Sequence, residues 1–314
     1  MKLTRQMVSN EVADGITGIA PIYKVSLDGK ATLIGSGFWL TERGHLVTAR
    51  HVIEDNIGAN GVDEGPIYAM QTFSDRRLMP RVLRKTSMHP NYDLALSETL
   101  GHGGDEADPT WTFSMTLESP KLGDFVGTYS FLSVEQKFDG EKYEGITTDT
   151  FSGLLAVPEI GITYDLQYAT RINKGRVLEI YPNGRDSVMM PFPCFCSDIP
   201  IYGANSGGPV FDSKGRVCGI NCTSYAGQDI SFHMPLEGIL GLWARDIELF
   251  PEDPVPRGRT VFEMGMARRV LFDPPLMHSV IPLWQRILFF PYYLYCDYRA
   301  KGWFWFGVDR HRPG

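Results

Sequence analysis

Apolar and polar positions alternate in short runs over most of the chain. Ile16–Val25, Thr32–Leu40, His45–Thr48, Ile67–Phe73, Asp124–Leu132 and Arg216–Asn221 each have strand length and strand composition. Gly, Asp, Asn and Pro punctuate them, as in Leu27-Asp28-Gly29-Lys30 and Asp212-Ser213-Lys214-Gly215, which read as hairpin connections. Helix-period segments are scarce before residue 235, and Leu236–Leu249 predicts a terminal helix. Many short strands with regular turns predict an all-β chain of barrels or a sandwich.

Two breaks divide this pattern. Gly101–Pro120 is polar and acidic at its start and reads as a connector between two β units. Pro251, Pro254 and Pro256 fall within six residues, a density that neither a helix nor a central strand tolerates. The expected units are therefore 12–105, 119–248 and a Pro-containing extension over 249–314, with the core ending near residue 248. The extension is rich in aromatic residues, from Trp284 to Phe306, with Pro282, Arg286 and Pro291 interrupting any apolar span. It is expected to pack back on a barrel, or else to offer a surface to a partner protein or a membrane.

Charge and cysteine content narrow the setting. The chain of 314 residues carries a formal net charge of −7, which argues against a nucleic-acid surface. The start, Met1 to Val12, has no apolar stretch leading to a cleavage site, and no window of about 18 apolar residues suggests a membrane span. Five cysteines, Cys194, Cys196, Cys218, Cys222 and Cys296, make an odd count that points to reduced thiols and a cytoplasmic chain. The first four could supply thiolates to zinc, but buried apolar packing is the stronger reading, so neither metal nor cofactor is expected.

Three motifs carry candidate chemistry. Gly44-His45-Leu46-Val47-Thr48-Ala49-Arg50-His51 presents a histidine after a strand, suited to proton transfer near neutral pH. His89-Pro90-Asn91-Tyr92-Asp93-Leu94-Ala95-Leu96 places a carboxylate at the edge of an apolar run, where it needs a partner. Gly203-Ala204-Asn205-Ser206-Gly207-Gly208-Pro209 sets a serine among small residues that let backbone and substrate approach. Each is unspecific alone. The order His, Asp, Ser is that of one triad arrangement and not of two others, and the gaps place His51 and Asp93 in the first β unit and Ser206 in the second.

Taken together the motifs resemble those of chymotrypsin-like (trypsin-type) serine proteases, nearest to the bacterial Deg/HtrA branch but without room for a PDZ domain. Ser197-Asp198, Gly215-Arg216-Val217-Cys218-Gly219-Ile220-Asn221 and Phe232-His233-Met234-Pro235 are similar to that branch's segments around the serine, and the resemblance covers roughly 12–248. It implies two antiparallel six-stranded β-barrels with the site between them. It also implies peptide hydrolysis through an acyl-enzyme on Ser206, with His51 as base, Asp93 as its orienter, and an oxyanion hole from the N–H groups of Ala204 and Ser206. Asn221, Cys222, Thr223, Ser224 and His233 would line the substrate pocket, along with residues near Ile199–Tyr202. No carboxylate is offered there, so a small, apolar or uncharged residue is expected before the scissile bond of a protein or peptide substrate. One departure stands out: the family places Gly where this chain has Ala204. That substitution raises the alternative of a catalytically silent or partner-activated binding module.

Overall fold

The computed structural model describes residues 15–26, 30–57, 65–101, 110–133, 146–157, 161–201, 203–224, 229–244, 259–267 and 269–276. The first unit comprises β1 (Ile19–Val25), β2 (Ala31–Trp39), β3 (His45–Thr48), β4 (Ile67–Thr72), β5 (Leu78–Met88) and β6 (Ala95–Gly101), closed as a barrel in the order β1-β2-β3-β6-β5-β4. The barrel closes through β1 and β4, with Ile22 opposite Ala69. Both faces of its strands carry buried apolar positions: Ile22, Trp39, Leu46, Ala69 and Ala95 pack in one cluster confined to this unit, and Phe38, Val47, Met70 and Leu96 face the other way.

The second unit contains β7 (Phe125–Ser133), β8 (Ile146–Val157), β9 (Ile162–Tyr181), β10 (Cys194–Ser197), β11 (Pro209–Asp212), β12 (Val217–Ser224) and β13 (Ser231–Pro235). Six of these close a second antiparallel barrel, β10-β13-β12-β11-β7-β9, through pairing of β9 with β10. The long β9 continues past that barrel and pairs with β8 as a hairpin, where Leu78 of β5 lies against Gly153. The turn expected at 212–215 joins β11 to β12. Asp212 accepts from the backbone N–H of Lys214 and Arg216, and Gly215 takes φ 77°, a region that only Gly occupies without strain.

The two barrels share one apolar cluster, in which Tyr23, Val47 and Leu96 of the first join Phe131, Val217 and Met234 of the second. Two expectations change here. Leu236–Gly241 forms a 3-10 helix, followed at once by the short strand β14 (Trp243–Ala244), where a longer helix was predicted. The core also runs on past residue 248. β15 (Arg259–Thr260) pairs with β14, and the helix Val261–Met266 buries Val261 and Met264 in the shared cluster with Val270 and Leu276. The capping box of Thr260 and Glu263 starts that helix. Arg216, buried in its side chain, ties this segment down: it pairs with Asp212 and Glu118 and donates to the Asp273 carbonyl. The connector takes part as well, since buried Met115 bridges both Val217 and Phe272. The aromatic stretch from Trp284 onward and Cys296 lie outside the described residues.

Candidate active site

His51 stands in the first turn of helix α1 (Arg50–Glu54), which follows β3 directly. Ala49 enters the helix with extended backbone, so β3 fixes where the imidazole points. The turn carrying Asp93 is built by His89, whose Nδ1 accepts from the N–H groups of Asn91 and Tyr92. Arg50 reaches across to the carbonyl of His89 at 3.2 Å and is itself held by Glu54. The result is a two-point clasp: Asp93 Oδ1 accepts from the His51 backbone N–H at 2.9 Å, and Oδ2 lies 2.8 Å from His51 Nδ1. Burial lowers the basicity of the imidazole. The hydrogen bond and charge of Asp93, with Asp55 adding to them, more than reverse this and hold the His51 pKa above the ordinary histidine value. The clasp also fixes the tautomer, with the proton on Nδ1 and Nε2 left free to accept one.

Ser206 enters from the second barrel on a turn anchored to the first. Its carbonyl accepts from the Ser36 N–H at 2.9 Å, and Ser36 Oγ donates to the Ala204 carbonyl at 2.6 Å. Ser36 in turn is held by Thr48, whose hydroxyl donates to its carbonyl at 2.7 Å. Thus β2 and the residues just before His51 position the serine turn. Gly207 is required there. It sits at φ 85°, and a Cβ would fall 2.1 Å from Thr48 Oγ1 and 2.3 Å from the Ser36 carbonyl oxygen.

The serine turn has a definite resting form. Gly203–Asn205 is a 3-10 turn that leads directly into Ser206. Ala204 keeps φ below zero; Arg76 is the only non-glycine described residue at positive φ. The Ser206 hydroxyl donates to the Cys222 carbonyl at 3.0 Å and is not engaged with His51. Asn205, next to the serine, is fully buried, and its side-chain amide has no hydrogen-bond partner among the described residues.

Residues 35–220 match the family profile of the trypsin-like peptidase domain. The chain belongs to that family. Among solved structures, Deg5 is similar over 76% of this chain and 92% of its own, at 16% identity and a TM-score of 0.52, a likeness of fold. The MamO protease domain from Magnetospirillum magneticum (16% identity, 70% of this chain and 93% of that one, TM-score 0.44) and a serine endoprotease from Yersinia pestis (18% identity, 70% and 59%, TM-score 0.42) are more distantly similar. No curated protein sequence matches.

In this trypsin-like peptidase domain, the residues expected along the substrate pocket divide into two groups. Thr223 and Ser224 are half-buried at the end of β12, with Ser224 Oγ donating to the Ile201 carbonyl at 3.1 Å. Asn221, Cys222 and His233 are buried, and Asn221 and His233 bond to each other. The four described thiols lie in the core. Burial pushes Cys194 up to about 11 and raises the other three as well, which keeps them protonated and unsuited to reactive chemistry. Cys218 packs in a different cluster from Cys194, Cys196 and Cys222. The sequence reading missed Ser36, Thr48 and Thr128, which hold the serine turn. Ser36 and Thr48 stand in or near the His51 motif as small hydroxyl residues too common to single out, and Thr128 stands near no motif.

Proposed function

We propose that this chain is a serine endopeptidase in which His51, Asp93 and Ser206 hydrolyse peptide bonds through an acyl-enzyme. The observation that carries this is the clasp of His51 by Asp93, which leaves Nε2 as the base, supported by the bonding of the Ser206 turn to Ser36 and of Ser36 to Thr48, three residues before His51. In the reaction Nε2 takes the hydroxyl proton as Ser206 Oγ attacks the carbonyl carbon. Asp93 stabilises the imidazolium, and His51 then gives the proton to the leaving amine. The oxyanion needs the N–H of Ser206 and that of Ala204. As substrate binds, the Ser206 hydroxyl swings from the Cys222 carbonyl to His51. Negative φ at Ala204 is compatible with a donor there, whereas a required positive φ would exclude it.

The resting turn also supports a second reading, a partner-activated or silent binding module. A digest separates the two. Unfolded protein chains incubated with the full-length protein are expected to be cut, with mass spectrometry finding small, apolar or uncharged polar residues before the cleaved bonds and no cleavage by Ser206→Ala. Absence of cleavage by the unmodified protein favours the binding module.

A further inference from the structure

Behind the serine turn lies a chain of buried polar side chains that the proposed chemistry does not use. His233 is fully buried. Its Nε2 lies 2.7 Å from Ser197 Oγ and 2.9 Å from Ser231 Oγ, and its Nδ1 lies 2.9 Å from Asn221 Oδ1. Asn221 donates through Nδ2 to Thr128 Oγ1 at 2.7 Å. That leaves its Oδ1 as the acceptor facing His233, so the ring proton sits on Nδ1 and Nε2 accepts from a serine hydroxyl. Burial pulls the His233 pKa down to about 3, so the ring is neutral wherever the enzyme works. The ring is also held by Phe195, whose centroid is 5.0 Å away.

The far end of this chain holds the nucleophile. The Asn221 carbonyl accepts from the Gly207 N–H at 2.8 Å, and the Asn221 N–H donates to the Gly208 carbonyl at 2.9 Å. Thr128 Oγ1 donates to the Pro209 carbonyl at 2.8 Å. Gly207 and Gly208 are therefore held by the Asn221 main chain and Pro209 by the Thr128 hydroxyl, while the Asn221 side chain, bonded to His233 at one end and Thr128 at the other, ties these two anchors together. A ring filling a core would need none of these directed bonds, and an apolar residue would fill the same space.

We propose that His233 is a positioning residue for Ser206: its neutral imidazole, donating from Nδ1, fixes Asn221 and through it the backbone from Gly207 to Pro209. The catalytic part of this rests on Ser206 being the nucleophile; the positioning part does not. The test compares His233→Leu, His233→Gln and Thr128→Val in the full-length protein. Amide hydrogen exchange at Gly207 and Asn221 is read by NMR, with the β3–β6 amides as the internal reference. The rate of Ser206 modification by a fluorophosphonate is read alongside. The Leu and Val variants are expected to exchange about tenfold faster at Gly207 and Asn221 with the reference unchanged, and to be modified about tenfold more slowly. Gln, which offers a donor to Asn221 and an acceptor to the serines, is expected to restore both. Should His233→Leu fail to fold, Thr128→Val carries the comparison. Unchanged protection at Gly207 and Asn221, equal acceleration at β3–β6, or a Gln variant as fast as Leu overturns the proposal. If the unmodified protein is not labelled, the catalytic reading fails while the exchange result still decides the positioning.

Discussion

His51 meets one carboxylate twice, through its backbone N–H and through Nδ1. The double contact makes the imidazole a stronger base than usual, so the pH dependence has a definite sign. The proposed reaction needs neutral His51. A raised pKa therefore moves the rising limb of the rate to a pH above the ordinary histidine value of about 6.5, and a profile of the digest against pH checks this. The same shift makes charged His51 favour the fold: its contribution is full below the unfolded value and is lost as pH rises through the folded one. Asp93→Asn removes the cause. It is expected to move the limb toward lower pH and to cut the rate by about 10⁴, because the ring loses its tautomer control. His51, Asp93 and Ser206 were legible as motifs, since each stands in a short local pattern. The resting contact of Ser206 with the Cys222 carbonyl was not, because it depends on the register of the β11–β12 hairpin, which an irregularity at Val210–Phe211 shifts.

At the scale of elements, the serine turn is where local sequence and tertiary contact agree most closely. Gly207 and Gly208 read as a turn in the sequence, and in the fold Gly207 is wedged against β3 and β2 at positive φ. Gly207→Ala faces backbone and a short hydroxyl, none of which can give way cheaply. It is expected to cost about 3 kcal/mol or more of stability, read as a fall in the urea midpoint at unchanged slope. Some strands were missed, and the reasons are physical. β5 carries Arg81, Arg84 and Lys85 among its apolar residues, and β9 has Asn173-Lys174-Gly175 in its middle, a turn signal that the fold overrides by pairing it with β7. The helix expected after β13 shortens to a 3-10 run because Leu236 and Ile239 reach the core within a single turn and β14 must then pair with β15.

Over the whole molecule, the two barrels and the segment 259–276 share apolar packing and so are expected to unfold together. The prolines at 251–256 looked like the end of the core because backbone constraint is visible in sequence while the return of a later segment is not. Met264, buried in the helix beyond those prolines, tests the point. Met264→Ala is expected to lose about 2–5 kcal/mol, read in thermal unfolding as one transition shifted downward. A separate early transition, with the barrels melting at the original temperature, would show that the segment is an appendage.

The central claim is that Ser206, activated by His51, is a nucleophile, and covalent capture tests it most directly. Full-length protein is incubated with a fluorophosphonate, and the adduct is located by intact and peptide mass analysis. The predicted result is one adduct, on Ser206, absent from Ser206→Ala and formed at least about a hundredfold more slowly in His51→Ala. No adduct at Ser206 after prolonged incubation, or equal labelling in His51→Ala, would contradict it.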